Sequence, residues 1–232
     1  MPLFERKPKI SFDEYCRQFY DKGIFHSIIA GQDVWSGLLD TYFESIAEVD
    51  QSFLSVDPVL FRNEMTALRM ELFAFACSKN SKTAKYAIRQ SLFTRSYLEE
   101  NGRLDIWHIM GAYNQAIAMS ATMNRNGKPT SGGVGRAQVT SVNLRRYEAI
   151  KALAPYTTGD EDVECVNHVV NFTGGDIKRE DGIVVKLLCS RLADRLGCDV
   201  NLEPEALLRL ATTIFGFYKG AEEYLKAVDL QG

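Results

Sequence analysis

Residues 57–75 read DPVLFRNEMTALRMELFAF, and their pattern settles the fold class of the chain. Asp57 followed by Pro58 is the pattern of a helix N-cap and its first helical position. The apolar residues after them recur at steps of four, three, four and three, which is the seam of a packed helix. They are Phe61, Met65, Leu68, Leu72 and Phe75. The stretch therefore predicts a long helix with one face in a hydrophobic core. We expect Leu68 and Leu72 of this helix to be buried, together with Ile117 and Ile214 of later helices.

The same periodicity extends over most of the chain. Further helices are predicted at 11–30 (from a Ser11–Glu14 capping box), 33–49, 81–99 (before Asn101-Gly102), 104–123, 137–153, 183–196 (before Gly197) and 203–228. Residues 104–123 are apolar nearly all round, which is typical of the buried centre of a bundle. Residues 160–172 fit either a helix or a strand. No alternating run is bounded by hairpin turns, so we predict an all-α multi-helix bundle of about eight or nine helices without significant sheet.

The composition is that of a soluble globular chain. Its 232 residues fit a single helical domain, or two helical halves (10–123 and 137–230) joined by a glycine-rich loop at 124–136. The five cysteines are widely spaced and odd in number, which favours free thiols in a reducing compartment. The sequence shows no secretory signal and no apolar run long enough to span a bilayer, so we expect a cytoplasmic location without membrane insertion.

The glycine-rich loop is the first candidate site. Residues 124–136 read NRNGKPTSGGVGR and lead into a predicted helix, whose N-terminus favours anions. The predicted anion-binding residues are Lys128, Ser131, Gly132, Gly133, Gly135 and Arg136. The loop matches neither a Walker A motif nor a dinucleotide fingerprint, so the alternative is a flexible linker.

Charge segregation gives the second candidate site. From residue 23 to 60 there is no lysine or arginine but six acids: Asp33, Asp40, Glu44, Glu48, Asp50 and Asp57. From residue 78 to 98 there is no acid but five bases, of which Lys82, Lys85 and Arg89 share one helix face. Such a face can bind a partner or orient a second subunit. The alternative is that the acidic and basic helices are neighbours within one fold, or simply solvated.

Metal and catalytic motifs are weak. Asp105 and His108 lie three residues apart, and Glu164 and His168 four apart, but the ligand count falls short of a carboxylate-bridged metal site. We therefore predict no metal and no cofactor. No local signature of a hydrolase, zinc protease or kinase occurs, and whether the chain is an enzyme stays open.

Three function classes follow from these patterns. The favoured class is a non-catalytic intracellular helical interaction or scaffold protein that binds a protein partner or itself as a homo-oligomer. The second class is a protein or enzyme for a small anion or phosphate ligand, using loop residues 127–136. The third is a nucleic-acid-associated protein using the basic helix 79–95, which the net charge of -3 disfavours.

Overall fold

The computed structural model describes residues 9–21, 28–29, 32–80, 82–120, 188–189, 191–197, 203–227 and 229–230. Helices account for 87% of these residues, which confirms the all-α class. The helices are α1 (Phe12–Tyr20), α2 (Val34–Ala47), α3 (Pro58–Lys79), α4 (Ala87–Glu100), α5 (Leu104–Ser120), α6 (188–189 and 191–196) and α7 (Pro204–Ala227). Short 3-10 helices cover Gln51–Ser55 and Ala84–Tyr86. The predicted helix at 137–153 lies outside the described residues.

Helix α3 is the central element. The Asp57 carboxylate accepts a hydrogen bond from the Val59 amide at 2.8 Å, so the predicted N-cap is confirmed. Helices α2, α4, α5 and α7 all pack against α3. Twelve of its residues are buried, on more than one face, because it has neighbours on several sides.

The expectation that residues 104–123 form the buried centre is wrong. Helix α5 buries Ile106, Met110 and Tyr113, but its opposite face is exposed at Asp105, His108, Gly111, Asn114 and Gln115. The segment is apolar on average, but its small and polar residues lie together on that exposed face. The central place belongs to α3.

The first predicted helix is shorter than expected. Ser11 caps α1 by accepting from the Glu14 amide at 3.2 Å, but the α-helix ends at Tyr20 rather than at residue 30. Ile28–Ile29 forms strand β2, which pairs antiparallel with β3, Gln32–Asp33. The β-branched isoleucines favour this strand pairing over a helix.

The two ends of the described chain lie side by side. Strand β1 (Lys9–Ile10) pairs in parallel with β4 (Asp229–Leu230), with Lys9 opposite Asp229 and Ile10 opposite Leu230. These strands are only two residues long, so neither pair forms a layer of its own. The pairing joins the start of α1 to the end of α7.

The core is rich in aromatic side chains. The rings of Phe19 and Phe73 stack with centroids 3.9 Å apart, and Tyr224 of α7 stacks on Tyr15 at 4.8 Å. The four residues predicted from periodicity to be buried are buried in the structure: Leu68, Leu72, Ile117 and Ile214. One hydrophobic core therefore contains residues of all the helices from α1 to α7.

Three cysteines lie in the described part of the chain, and all are free and buried: Cys16, Cys77 and Cys189. Burial raises the pKa of the Cys77 thiol to about 12, which disfavours the reactive thiolate. None of the described helices combines the length and the apolar character that a membrane span requires.

Candidate functional site

The predicted basic residues do not share one helix face, because the α-helix begins at Ala87 rather than at residue 81: Lys82 lies in a turn and Lys85 in the 3-10 helix before α4, and Arg89 is on α4 itself. The inner side of α4 buries Gln90, Thr94, Tyr97 and Leu98, and the helix packs against α1, α3 and α5. The helix ends where the sequence predicted, since Gly102 adopts a left-handed conformation with φ of 65° that favours glycine. The remaining side of α4 faces solvent.

The three predicted interaction residues are all exposed, but they are not equivalent. Arg89 donates two hydrogen bonds of 2.8 Å to the Asp13 carboxylate, and this pairing raises the pKa of Arg89. The Lys85 ammonium lies 4.8 Å from the centre of the Tyr86 ring. Arg89 therefore joins α4 to α1, and Lys82 and Lys85 are better placed to meet a partner.

Two exposed apolar residues of α4 lie close to these bases, and the charge pattern of the sequence did not predict them. Ile88 is 80% exposed and Leu92 is 63% exposed, and at i, i+4 they lie on one side of α4. The sequence does show Ile88 and Leu92 between basic residues, but apolar residues at this spacing are also expected on the buried side of any helix. We define the basic face as Lys82, Lys85, Ile88, Leu92 and Arg95.

The acidic stretch divides into structural and free carboxylates. Asp40 pairs with Arg62 at 3.3 Å, and Asp57 caps α3. Asp50 accepts from the Ser52 and Glu203 backbone amides, each at 2.9 Å. Although burial raises the pKa of Asp50, these bonds and the Ser52 hydroxyl lower it overall. Glu44 and Glu48 are exposed and have no ion-pair partner among the described residues.

An exposed apolar pair also accompanies the free acids. Leu54 is 67% exposed and Val59 is 53% exposed, on either side of Asp57. The 3-10 helix that carries Leu54 packs against α2, which carries Glu44 and ends one residue before Glu48. We define the acidic corner as Glu44, Glu48, Leu54, Asp57 and Val59.

The basic face and the acidic corner make no ion pair with each other among the described residues. In the part of the chain that the structure describes, no ion pair joins residues 33–57 to residues 79–95. Helices α2 and α4 both pack against α3 but make little contact with each other. Among the described residues, neither surface therefore covers the other.

The other predicted sites have different outcomes. The anion-binding residues Lys128, Ser131, Gly132, Gly133, Gly135 and Arg136 lie outside the described residues, as do Glu164 and His168. Asp105 pairs with Arg103 at 3.1 Å, and His108 is exposed. Among the described residues, no group of three or more histidine, cysteine, aspartate or glutamate side chains could hold a metal ion.

Two buried carboxylates on α3 form a further polar feature. Glu64 Oε2 accepts a 2.7 Å hydrogen bond from the Tyr113 hydroxyl and a 2.6 Å bond from Arg195 Nε. Glu71 Oε1 accepts one bond of 2.8 Å, from the amide of Asn114. Burial raises the pKa of Glu71 to about 7, and the Asn114 bond only partly opposes this effect. The sequence placed both residues on a packed helix without revealing that they point inward.

Comparison with known proteins gives no functional assignment. The chain matches no protein-family model, and no curated protein or solved structure is significantly similar to it. Any function must therefore be argued from the surfaces and cavities described above.

Proposed function

We propose that this protein is a self-associating helical scaffold in which the basic face of one copy docks on the acidic corner of another. The observation that carries the proposal is two pairs of exposed apolar residues, one close in sequence to bases and the other close in sequence to acids. Ile88 and Leu92 lie among bases, and Leu54 and Val59 lie among acids.

Apolar burial would supply most of the stabilisation of this contact. Covering a fully exposed isoleucine or leucine side chain contributes about 1.5–3 kcal/mol, whereas an exposed ion pair contributes about 0–1 kcal/mol. The charges would instead set the orientation and accelerate encounter. This division of roles favours a protein partner over nucleic acid, since two apolar side chains at the centre of the face give phosphates nothing to bind.

The symmetry of the contact would determine the size of the assembly. A two-fold arrangement forms the same contact twice and closes as a dimer, whereas a head-to-tail arrangement continues into a ring or an open chain. Both arrangements use the same residues, so the residues can be tested without knowing the symmetry.

The first test is sedimentation equilibrium of the wild-type chain and of an Ile88→Ser/Leu92→Ser variant. We expect the wild-type mass to rise with concentration and the variant to remain monomeric with unchanged helical circular dichroism, because both side chains are already exposed. Lys226→Glu, on an exposed part of α7, serves as the control and should associate like the wild type. A wild-type chain that is monomeric at all accessible concentrations would falsify the proposal.

A charge exchange identifies the partner surface. Lys82→Glu/Lys85→Glu/Arg95→Glu should abolish self-association, and so should Glu44→Lys/Glu48→Lys. Mixing the two variants should restore association, because one reversed basic face then meets one reversed acidic corner. Arg89 is left unchanged, since its partner is Asp13 within the chain.

Two outcomes would redirect the proposal. Failure of the mixture to associate would exclude the acidic corner as the docking surface. Salt-dependent binding of mixed-sequence DNA that survives Ile88→Ser/Leu92→Ser but not the charge reversal would assign the face to nucleic acid instead.

A further inference from the structure

A cavity lies between α3, α4 and α5, away from the acidic corner. Its volume is about 440 Å³, which is within the range of small-molecule sites. The rings of Phe75 and Trp107 contribute to its apolar wall. Its polar groups include Glu71, Gln90, Thr94 and Asn114.

Two of the polar groups are buried and incompletely paired. Gln90 is 3% exposed and lies near the Tyr20 hydroxyl, but its buried Nε2 makes no well-directed hydrogen bond to the described residues. Glu71 is 6% exposed, and its only hydrogen bond to the described residues is the one from Asn114. A buried carboxylate without a cation is costly, because burial disfavours its charged form.

We propose that this cavity binds small organic cations, in which a protonated amine pairs with the Glu71 carboxylate and an apolar body contacts Phe75 and Trp107. The amine provides the positive charge that Glu71 lacks among the described residues, and the aromatic rings can also attract a cation. An acceptor atom on the ligand would satisfy Gln90 Nε2. A bare metal ion fits less well, because the described lining residues offer Glu71 as their single carboxylate and include no histidine or cysteine.

Binding by this mechanism depends on pH. Among the described residues that line the cavity, Glu71 is the only ionisable one. The other polar lining residues are Ser78 of α3, Gln90, Ser91 and Thr94 of α4, and Trp107 and Asn114 of α5. Because the pKa of Glu71 is raised to about 7, an amine that binds at lower pH must displace a proton. Affinity should therefore fall about tenfold for each pH unit below that value.

The test uses the full chain and 2-phenylethylamine as the probe, with affinity measured by calorimetry at pH 8 and pH 6. The neutral 2-phenylethanol and the anionic phenylacetate have similar shapes and serve as ligand controls. We expect the amine to bind at millimolar or lower concentration, more tightly at pH 8, and the two controls to bind at least about tenfold more weakly.

Two variants locate the site. Glu71→Gln should weaken amine binding about tenfold or more, while removing a buried charge that opposes folding. Gly111→Leu should fill the cavity, since Gly111 lines it and a Cβ there meets no other atom within 4 Å. Gly220→Leu is the matched control: this exposed glycine of α7 also has open space, outside the cavity, and the variant should bind like the wild type.

Three results would overturn the proposal. The first is wild-type protein that does not bind the amine at pH 8. The second is equal affinity for the amine and the alcohol, which would make the cavity a general apolar site. The third is unchanged affinity in Glu71→Gln or Gly111→Leu, which would place the amine elsewhere on the protein.

Discussion

Glu64 and Glu71 lie two turns apart on the same helix, and both are buried, but their surroundings differ. Glu64 is fully covered and shares Oε2 between Arg195 and the Tyr113 hydroxyl. Glu71 faces a cavity and has one neutral partner, Asn114. Glu64 is thus paired with the Arg195 guanidinium of the same chain, whereas Glu71 has no cationic partner among the described residues.

The comparison separates Glu64, which stabilises the fold through an ion pair, from Glu71, which we propose binds a ligand. Removing one partner of a buried ion pair is strongly destabilising, because the other charge is then left uncompensated. A buried carboxylate without a cation already bears this cost in the native state, so removing its charge should stabilise the fold. Substitutions at the two sites should therefore change stability in opposite directions.

The largest effect is expected from Arg195→Ala. Glu64 would lose its cation while remaining buried, so the free energy of unfolding at pH 7 should fall by about 3–5 kcal/mol. Urea denaturation followed by circular dichroism measures the change. Lys226→Ala, which breaks the exposed pair with Glu223, is the control and should leave the midpoint unchanged. A loss under about 1 kcal/mol in Arg195→Ala would mean that Glu64 is not held by this pair.

The next effect, of opposite sign, is expected from Glu71→Gln. The pKa of Glu71 is about 7 in the folded state, against an ordinary value of 4.5. The protonated side chain therefore stabilises the fold. This stabilisation is complete below pH 4.5 and is lost as the pH rises through 7. The glutamine side chain does not ionise, so the variant should not lose stability in this way as the pH rises. It should therefore be more stable than the wild type by up to about 3 kcal/mol at pH 8, and nearly equal at pH 4. A difference independent of pH would show that Glu71 titrates normally.

The smallest effect is expected from Asn114→Ala. This change removes the hydrogen bond to Glu71 Oε1 and should cost about 1 kcal/mol at pH 8. Because that bond favours the ionised carboxylate, its loss should also shift the pH dependence of unfolding to higher pH. In an Asn114→Ala/Glu71→Gln double variant the pH shift should vanish, which distinguishes it from a general loss of packing.

The sequence predicted well what local patterns determine. The Asp57 cap, the Gly102 termination and the burial of Leu68, Leu72, Ile117 and Ile214 depend on spacing and on preferences of single residues. The early end of α1 was missed because Ile28 and Ile29 pair with residues beyond Gly31, and such pairing is invisible to helical periodicity.

The candidate sites were less predictable because they depend on which helix faces meet. Lys82 and Lys85 were identified from charge alone, but the exposure of Ile88 and Leu92 depends on how α4 is rotated against α1 and α5. The inward orientation of Glu64 and Glu71 likewise depends on α5 and on Arg195, which is 131 positions away in sequence from Glu64. Periodicity reveals that a helix has a core face, but not which polar residues lie at its edge.

The pairing of β1 with β4 has a mechanical consequence. Because the two strands are parallel, tension between Lys9 and Leu230 would pull them in opposite directions along their common axis. The backbone hydrogen bonds between them would then bear the load together in shear, instead of opening one after another. A pull on the two ends would therefore strain this short clamp before it reaches the helices behind it.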